Sequence, residues 1–422
     1  MGPMFSKPRL AAAWLMICFV FGAATHLNAS DWPRWRGPQQ DGHSTEDGLP
    51  IEWSSDSVTW KVAVKGKGQS SPVITGNRIF LTSALRDGEE RVVVCLNRNT
   101  GQELWARSVW TGNPEPTHQM NGWASSTCVA DSDRVYAFFG AAGGLVCLSH
   151  SGELLWQQDL GALVNAWGSA ACPVLVGDLV IQNCDAEQDG FLIALDKVTG
   201  KRVWKTARPD ARGWSTPVLI RYEGRDELVL NGDSALKAYD PATGSELWTV
   251  RSFTGRGSPT VIYTNGLLHA VCGKRGDTYA VRPGGSGDVT DTHMVWHSPR
   301  RTSRDLPSPI AIDRQTLVMD MRRGVLTAYD VRSGQQNWQE RAAETGVVGN
   351  FCASPVSWNG LAFFVAENGT TVVVKPGETM EIVARNQVAA GEDEIFRSSL
   401  AASNGHVFLR STTHLYCIGP TR

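Results

Sequence analysis

The fold class this sequence predicts is all-β: an eight-bladed β-propeller of four-stranded antiparallel blades, its ring closed by an outer strand from the N-terminus. Three observations predict it. The unit A-x-D-x-x-T-G-x-x-x-W stands at residues 194–204 and 238–248, with looser copies at 95–105, 147–156 and 328–338. Its period of roughly 45 residues is that of an array whose units bury one another by stacking. A second signature, Ser-Pro-Val or a variant, recurs between these units. Composition agrees: 43 Gly and 16 Trp against 19% charged residues suit a chain of many turns and aromatic packing.

Taken in order, residues 1–29 read as a signal peptide. Lys7 and Arg9 precede the apolar stretch 10–24, and Leu27-Asn28-Ala29 offers a cleavage site ending in a small residue. Cleavage after Ala29 and retention as an anchor both stay open. No later segment is long and apolar enough to span a bilayer. Residues 30–54 are rich in turn formers, lie outside the repeats and are expected to wrap the outside or bottom of the array. The propeller proper is expected over 55–420.

Residues 58–64 form an orphan strand carrying Trp60. Inner strands start at Ser71-Pro72, Thr127-Cys128, Cys172-Pro173, Thr216-Pro217, Ser258-Pro259, Ser308-Pro309, Ser354-Pro355 and Ser398-Ser399. Pro is tolerated at a strand's first residue, where no ladder donor is lost. Outer strands carry Trp60, Trp105, Trp156, Trp204, Trp248, Trp296 and Trp338, with an eighth at 382–385 that lacks the indole. Eight inner and eight outer strands match only if the segment of Trp60 pairs with the last repeat, at 398–418. Such closure removes exposed sheet edges. Seven blades would follow if 353–386 folded otherwise.

In each unit the Asp side chain can bond the turn amides, and Gly takes the positive-φ position. The Trp that follows can lie between neighbouring sheets, with its N–H bonded. Of nine Cys, eight follow the signal segment. Cys95, Cys147 and Cys417 fall at matching strand positions and read as small core residues. Cys128 and Cys172 fall at nearly equivalent places and could face each other.

These repeats resemble those of the pyrroloquinoline quinone-like, or quinoprotein alcohol dehydrogenase-like, β-propeller family. That family includes quinoprotein alcohol dehydrogenases and the outer-membrane assembly lipoprotein BamB, so the resemblance implies a fold and leaves the activity open. Cys18 follows Met16-Ile17 and so lacks the small residue of a lipoprotein signal. The dehydrogenases place a quinone on a Trp, beside calcium, a catalytic Asp and two adjacent cysteines. This chain has no Cys-Cys pair. Asp185, Glu187 and Asp189 alternate in a loop and are the one acidic cluster suggesting calcium. No P-loop, G-x-S-x-G or H-E-x-x-H occurs, and a net charge of −2 offers no basic excess for nucleic acid.

The short turns belong to one face. The opposite face gathers longer, more varied loops, where binding groups concentrate. Trp123, Trp167, Trp214, Phe351 and Phe396 precede inner strands there. Each either rims an axial funnel or packs as a lid on its neighbours. Arg256, Lys274, Arg275, Arg300, Arg301, Arg304, Arg322 and Arg323 fall in loops of the same face, with Asp185, Glu187, Asp189, Glu367, Glu392, Asp393 and Glu394 in corresponding loops elsewhere. Guanidinium forks suit carboxylates, phosphates and protein surfaces. The candidate contacts are Trp123, Trp167, Trp214, Arg256, Arg275, Arg304, Arg322 and Arg323. The expected function is that of an exported, non-enzymatic scaffold that needs no cofactor and binds another envelope protein through its loop-rich face. The alternative is a quinone-dependent oxidoreductase of alcohols or sugars, using pyrroloquinoline quinone and calcium.

Overall fold

Alternating apolar residues and D-x-x-T-G reversals fold into eight sheets around one axis. The computed structural model describes residues 1–2, 31–252, 255–274, 276–300 and 306–419, so residues 3–29 of the signal segment lie outside the described residues. Blades 1 to 8 begin with the inner strands Val73–Thr75, Val129–Ala130, Val174–Val176, Val218–Tyr222, Ile262–Thr264, Ile310–Ile312, Val356–Trp358 and Ala401–Ser403. Blades 1 to 7 run outward in sequence order through four antiparallel strands, and blade 8 takes its outermost strand from near the N-terminus. Residues 353–386 supply blade 7 with four strands, which excludes a seven-bladed ring.

Closure is as the strand count requires. Val58–Ala63 pairs antiparallel with His414–Ile418, setting Trp60 opposite Cys417 and Val62 opposite Leu415. Arg410, fully buried, ties blade 8 to blade 1: its guanidinium donates to Ser70 O, Ser70 Oγ and Thr82 O.

The repeated Trp docks each blade on the next. The Nε1 groups of Trp105, Trp156, Trp204 and Trp296 donate to His150 O, Lys197 O, Pro241 O and Val331 O at 3.0–3.2 Å, each in the following blade's turn. The turn glycine lies against the indole. A Cβ at Gly200 would come within 2.7 Å of Trp156, and one at Gly244 within 2.5 Å of Trp204. The Asp side chain stops the turn from opening, as Asp196 Oδ1 accepts the amides of Val198 and Thr199 at 3.1 and 2.7 Å.

Trp248 departs from this scheme. It is fully buried, and its Nε1 donates to Glu227 Oε2 at 2.8 Å. The following blade has no D-x-x-T-G turn. In its place Gly287–Asp288 adds to blade 4 as a parallel fifth strand, and a short helix, Thr290–His293, precedes the outer strand Met294–Ser298.

Inner-strand register is corrected in two blades. The position occupied by Ser71 belongs in blade 5 to Thr260 rather than Ser258, and in blade 8 to Ser399 rather than Ser398, each two residues before its strand. Pro marks a strand's start only loosely, because several neighbouring positions lack ladder partners.

Residues 31–45 pass beneath the ring and plug its axis. Trp32 exchanges amide bonds with Ile74 of blade 1, and Pro33 O accepts from Ala130 of blade 2. Gln40 Nε2 reaches Pro217 O in blade 4 at 3.4 Å, and Arg36 Nη2 reaches Pro309 O in blade 6 at 2.8 Å. Ser44 and Gly42 bond the backbone of Ser357 in blade 7. Cys128 and Cys172 are both free and buried. Among the described residues no helix is long and apolar enough to cross a membrane.

Candidate functional site

At the start of every inner strand one side chain turns toward the axis. The residues are Ser71, Thr127, Cys172, Thr216, Thr260, Ser308, Ser354 and Ser399, and all of them line one axial cavity of about 370 Å³. They are also bonded to one another. The amides of Ser71, Cys172, Thr216, Thr260, Ser308 and Ser399 donate to the hydroxyl oxygens of Thr127, Thr216, Thr260, Ser308, Ser354 and Ser71 at 2.8–3.0 Å, and Thr127 N reaches Cys172 Sγ at 3.3 Å. This girdle explains the Ser/Thr-Pro signature. The hydroxyl satisfies a buried amide of the adjacent blade, which would otherwise cost about 1–3 kcal/mol.

Above the girdle the crossover loops supply aromatic and cationic groups. Trp167 and Trp214 stack with ring centroids 5.9 Å apart and planes inclined by 23°. Trp214 Nε1 donates to Gly168 O at 2.8 Å, which fixes the pair. The Arg256 guanidinium lies 4.1 Å from the Trp167 ring centre, and that of Arg212 lies 4.9 Å from it. Each such contact contributes about 0.5–2 kcal/mol. Arg256 holds φ at 77°, a left-handed backbone that costs a side chain about 1–2 kcal/mol. Arg322 reaches the wall from the loop between the second and third strands of blade 6, and Arg397 from the crossover into blade 8. Arg397 is held by Glu367 at 2.7 Å and by Gln119 O at 3.1 Å.

Of the candidate residues, the structure brings Trp167, Trp214, Arg256 and Arg322 together on the cavity wall. Arg323 is exposed beside them. Trp123 packs as a lid: it is half-buried, its Nε1 donates to Glu115 O at 2.8 Å, and it lies on Gly88. Phe351 and Phe396 are buried between blades. Arg275 and Arg304 lie outside the described residues. Sequence reasoning missed His118 and Asn121 in the long crossover into blade 2, Arg397, Cys352, the girdle itself and Trp35, which lines the cavity from the plug. The girdle had a signal in the recurrent hydroxyl before Pro. Arg397 had only its place beside Phe396.

The acidic loops are engaged in the fold. Asp185 is buried in a two-pronged pair with Arg208, Nε at 2.5 Å and Nη2 at 3.1 Å. Glu187 pairs with Arg212 at 2.8 Å. Among the described residues no carboxylate lines the cavity. The Cys352 thiol on its wall is pushed up to about 12 by burial and by Glu367.

Residues 88–258 and 223–421 match the family described as outer membrane protein assembly factor BamB. The chain belongs to this family. BamB of Yersinia pestis is 23% identical over 300 residues, which cover 66% of this chain and 69% of that protein. Methanol dehydrogenase [cytochrome c] subunit 1 of Methylorubrum extorquens is 26% identical over 167 residues, covering 36% of this chain. The matched stretch is 26% of that subunit, about a quarter of its length. Among solved structures, BamB from Moraxella catarrhalis superposes with a TM-score of 0.59 at 15% identity, covering 86% of this chain and 97% of that one. Quinohemoprotein alcohol dehydrogenase from Comamonas testosteroni gives 0.65 at 11% identity, covering 93% and 81%. At these identities the superpositions show the shared propeller fold.

The dehydrogenase resemblance raises calcium and a quinone, and the described residues do not fit them. Calcium takes six to eight oxygen ligands. Among the described residues no three His, Cys, Asp or Glu side chains are grouped to share a metal, and Asp185 and Glu187 are each held by an arginine. The Trp167 face that a flat ring would use is already met by guanidinium groups.

Proposed function

We propose that this protein is an exported, non-enzymatic scaffold that holds another envelope protein on its loop-rich face during envelope protein assembly. One observation carries the reading: a funnel mouth built from stacked Trp167 and Trp214 under Arg256, with Arg322 at the wall and Arg323 beside it. Trp and Arg are the residues that dominate protein–protein binding energies, and a cluster near one centre is the arrangement that works. Family membership supports the same role, since relatives bear the name of an assembly factor.

The test is capture from a solubilised envelope fraction. Arg322→Glu with Arg323→Glu is expected to cut recovery of the specific partner at least tenfold with an unchanged melting temperature. A matched reversal on the short-turn face, Lys201→Glu with Arg332→Glu, is expected to leave recovery intact. Equal capture by the mouth variant contradicts the reading. Added pyrroloquinoline quinone and calcium are expected to give no thermal stabilisation and no dye-linked alcohol or sugar oxidation. A positive result in both assays would replace the scaffold with an oxidoreductase.

A further inference from the structure

The girdle has an unused chemical capacity. Each Ser or Thr oxygen in a girdle bond accepts an amide of the neighbouring blade, so its own O–H hydrogen can donate wherever no other acceptor takes it. Thr127 and Thr216 also meet the Cys172 thiol, and Thr260 Oγ1 meets Ser215 Oγ, which leaves Ser71, Ser308 and Ser354 as the clearest donors. Those side chains face the axial cavity. The result is a ring of hydroxyl donors, interrupted by one thiol at Cys172, a much weaker donor. Cationic groups lie on both sides of it. Arg256, Arg322 and Arg397 stand on the wall above, and no carboxylate does among the described residues. Below, Arg36 sits one residue beneath the ring, bonded through Nη2 to the carbonyl of Pro309, which follows Ser308. Arg36 is 0% exposed, and among the described residues its Nε and Nη1 have no hydrogen-bond partner. Trp35, beside it, closes the cavity floor.

Convergent O–H donors between guanidinium groups, in a cavity with no carboxylate among its described lining residues, favour negative charge, with Arg397 giving its Nε to Glu367 behind the wall. Planar two-oxygen groups match guanidinium forks best. We propose that the axial cavity is a binding site for a carboxylate group, seated on the hydroxyl girdle and held by Arg397 and its neighbours on the wall. The carboxylate comes either from a free small acid or from the C-terminus of a polypeptide inserted from the mouth. This inference does not depend on the scaffold reading, because it concerns the interior of the ring and is measured without a partner.

Intrinsic fluorescence reads the site, because Trp167 and Trp214 line it. The purified mature chain is titrated with acetate, malonate and citrate, and with a short peptide carrying either a free or an amidated C-terminus. Sodium chloride of equal ionic strength is the reference. At least one carboxylate is expected to give a saturable change with a Kd of about 1 mM or tighter. A response to the free-ended peptide alone assigns the chain-terminal source, and a response to the small acids assigns the free one. Arg397→Gln is expected to weaken binding at least tenfold. Cys172→Ser, which completes the ring of hydroxyls, is expected to tighten it several-fold, and Arg332→Gln, exposed on the short-turn face, to leave it unchanged. Cys172→Ser also keeps the proposal falsifiable if Arg397→Gln does not fold. The proposal is overturned if every carboxylate behaves as chloride does, or if folded Arg397→Gln or Cys172→Ser binds as the native chain does.

Discussion

Glu394 shows how much a single side chain contributes to closing this ring. It lies in the crossover into blade 8 and accepts from Lys61 Nζ on the N-terminal strand at 2.6 Å, from Ser411 Oγ at 2.6 Å and from Tyr416 OH at 2.8 Å. Burial alone would raise its pKa. The Gly391 amide and these donors outweigh burial and hold it at about 2, below the ordinary 4.5. A depressed carboxylate stabilises the fold above its unfolded pKa, and that stability is lost as pH falls from about 4.5 toward 2. Glu394→Gln is expected to remove up to about 3 kcal/mol at pH 7. It should also flatten the pH dependence of urea-melting stability below pH 4.5. An unchanged acid limb in the variant would show that the pair contributes nothing. In the sequence Glu394 reads as one acid of a loop cluster, because Lys61 stands 333 residues away. Charged pairs across such separations leave no local pattern. The same holds for Arg397 with Glu367 and for Arg208 with Asp185.

The turn-and-indole joint is the element on which the blades depend, and its chemistry was readable in the repeat. Asp, Gly and Trp have separate duties: to hold the turn, to allow its backbone and close approach, and to dock it. Two glycines separate these effects. Gly177, at φ 57°, has nothing within 4 Å of a Cβ, whereas Gly244, at φ 74°, would press a Cβ to 2.5 Å from Trp204. Gly177→Ala is expected to cost about 1 kcal/mol from backbone strain alone. Gly244→Ala should cost a further 1–3 kcal/mol or so from overpacking at the joint. Equal losses in chemical denaturation would mean the indole contact is slack. What the pattern could not disclose is where it lapses. Trp248 keeps the motif's spacing yet bonds Glu227, because the docking partner is missing from the next blade, and a repeat read one copy at a time does not report on its neighbour. The Ser/Thr-Pro signature was legible as a strand start. Its second role became visible only when all eight strand starts met at one axis.

For the molecule as a whole, counting strands was sufficient to predict the closed ring, since a terminal strand without partners and a last repeat without an outer strand require each other. The same closure divides the surface into a face of short turns, plugged by residues 31–45, and a face of loops around the funnel. The funnel's cationic, aromatic composition arises from five separate crossovers and loops, so no contiguous stretch of sequence carries it. The functional account requires that partners meet the loop face. Site-specific photo-crosslinking decides this most directly, with the crosslinker placed at Arg323 beside the mouth or at Val198 in an exposed turn of the opposite face. The account predicts that irradiation in an envelope fraction yields one discrete adduct from position 323 and none from position 198. An adduct from 198 alone would contradict it.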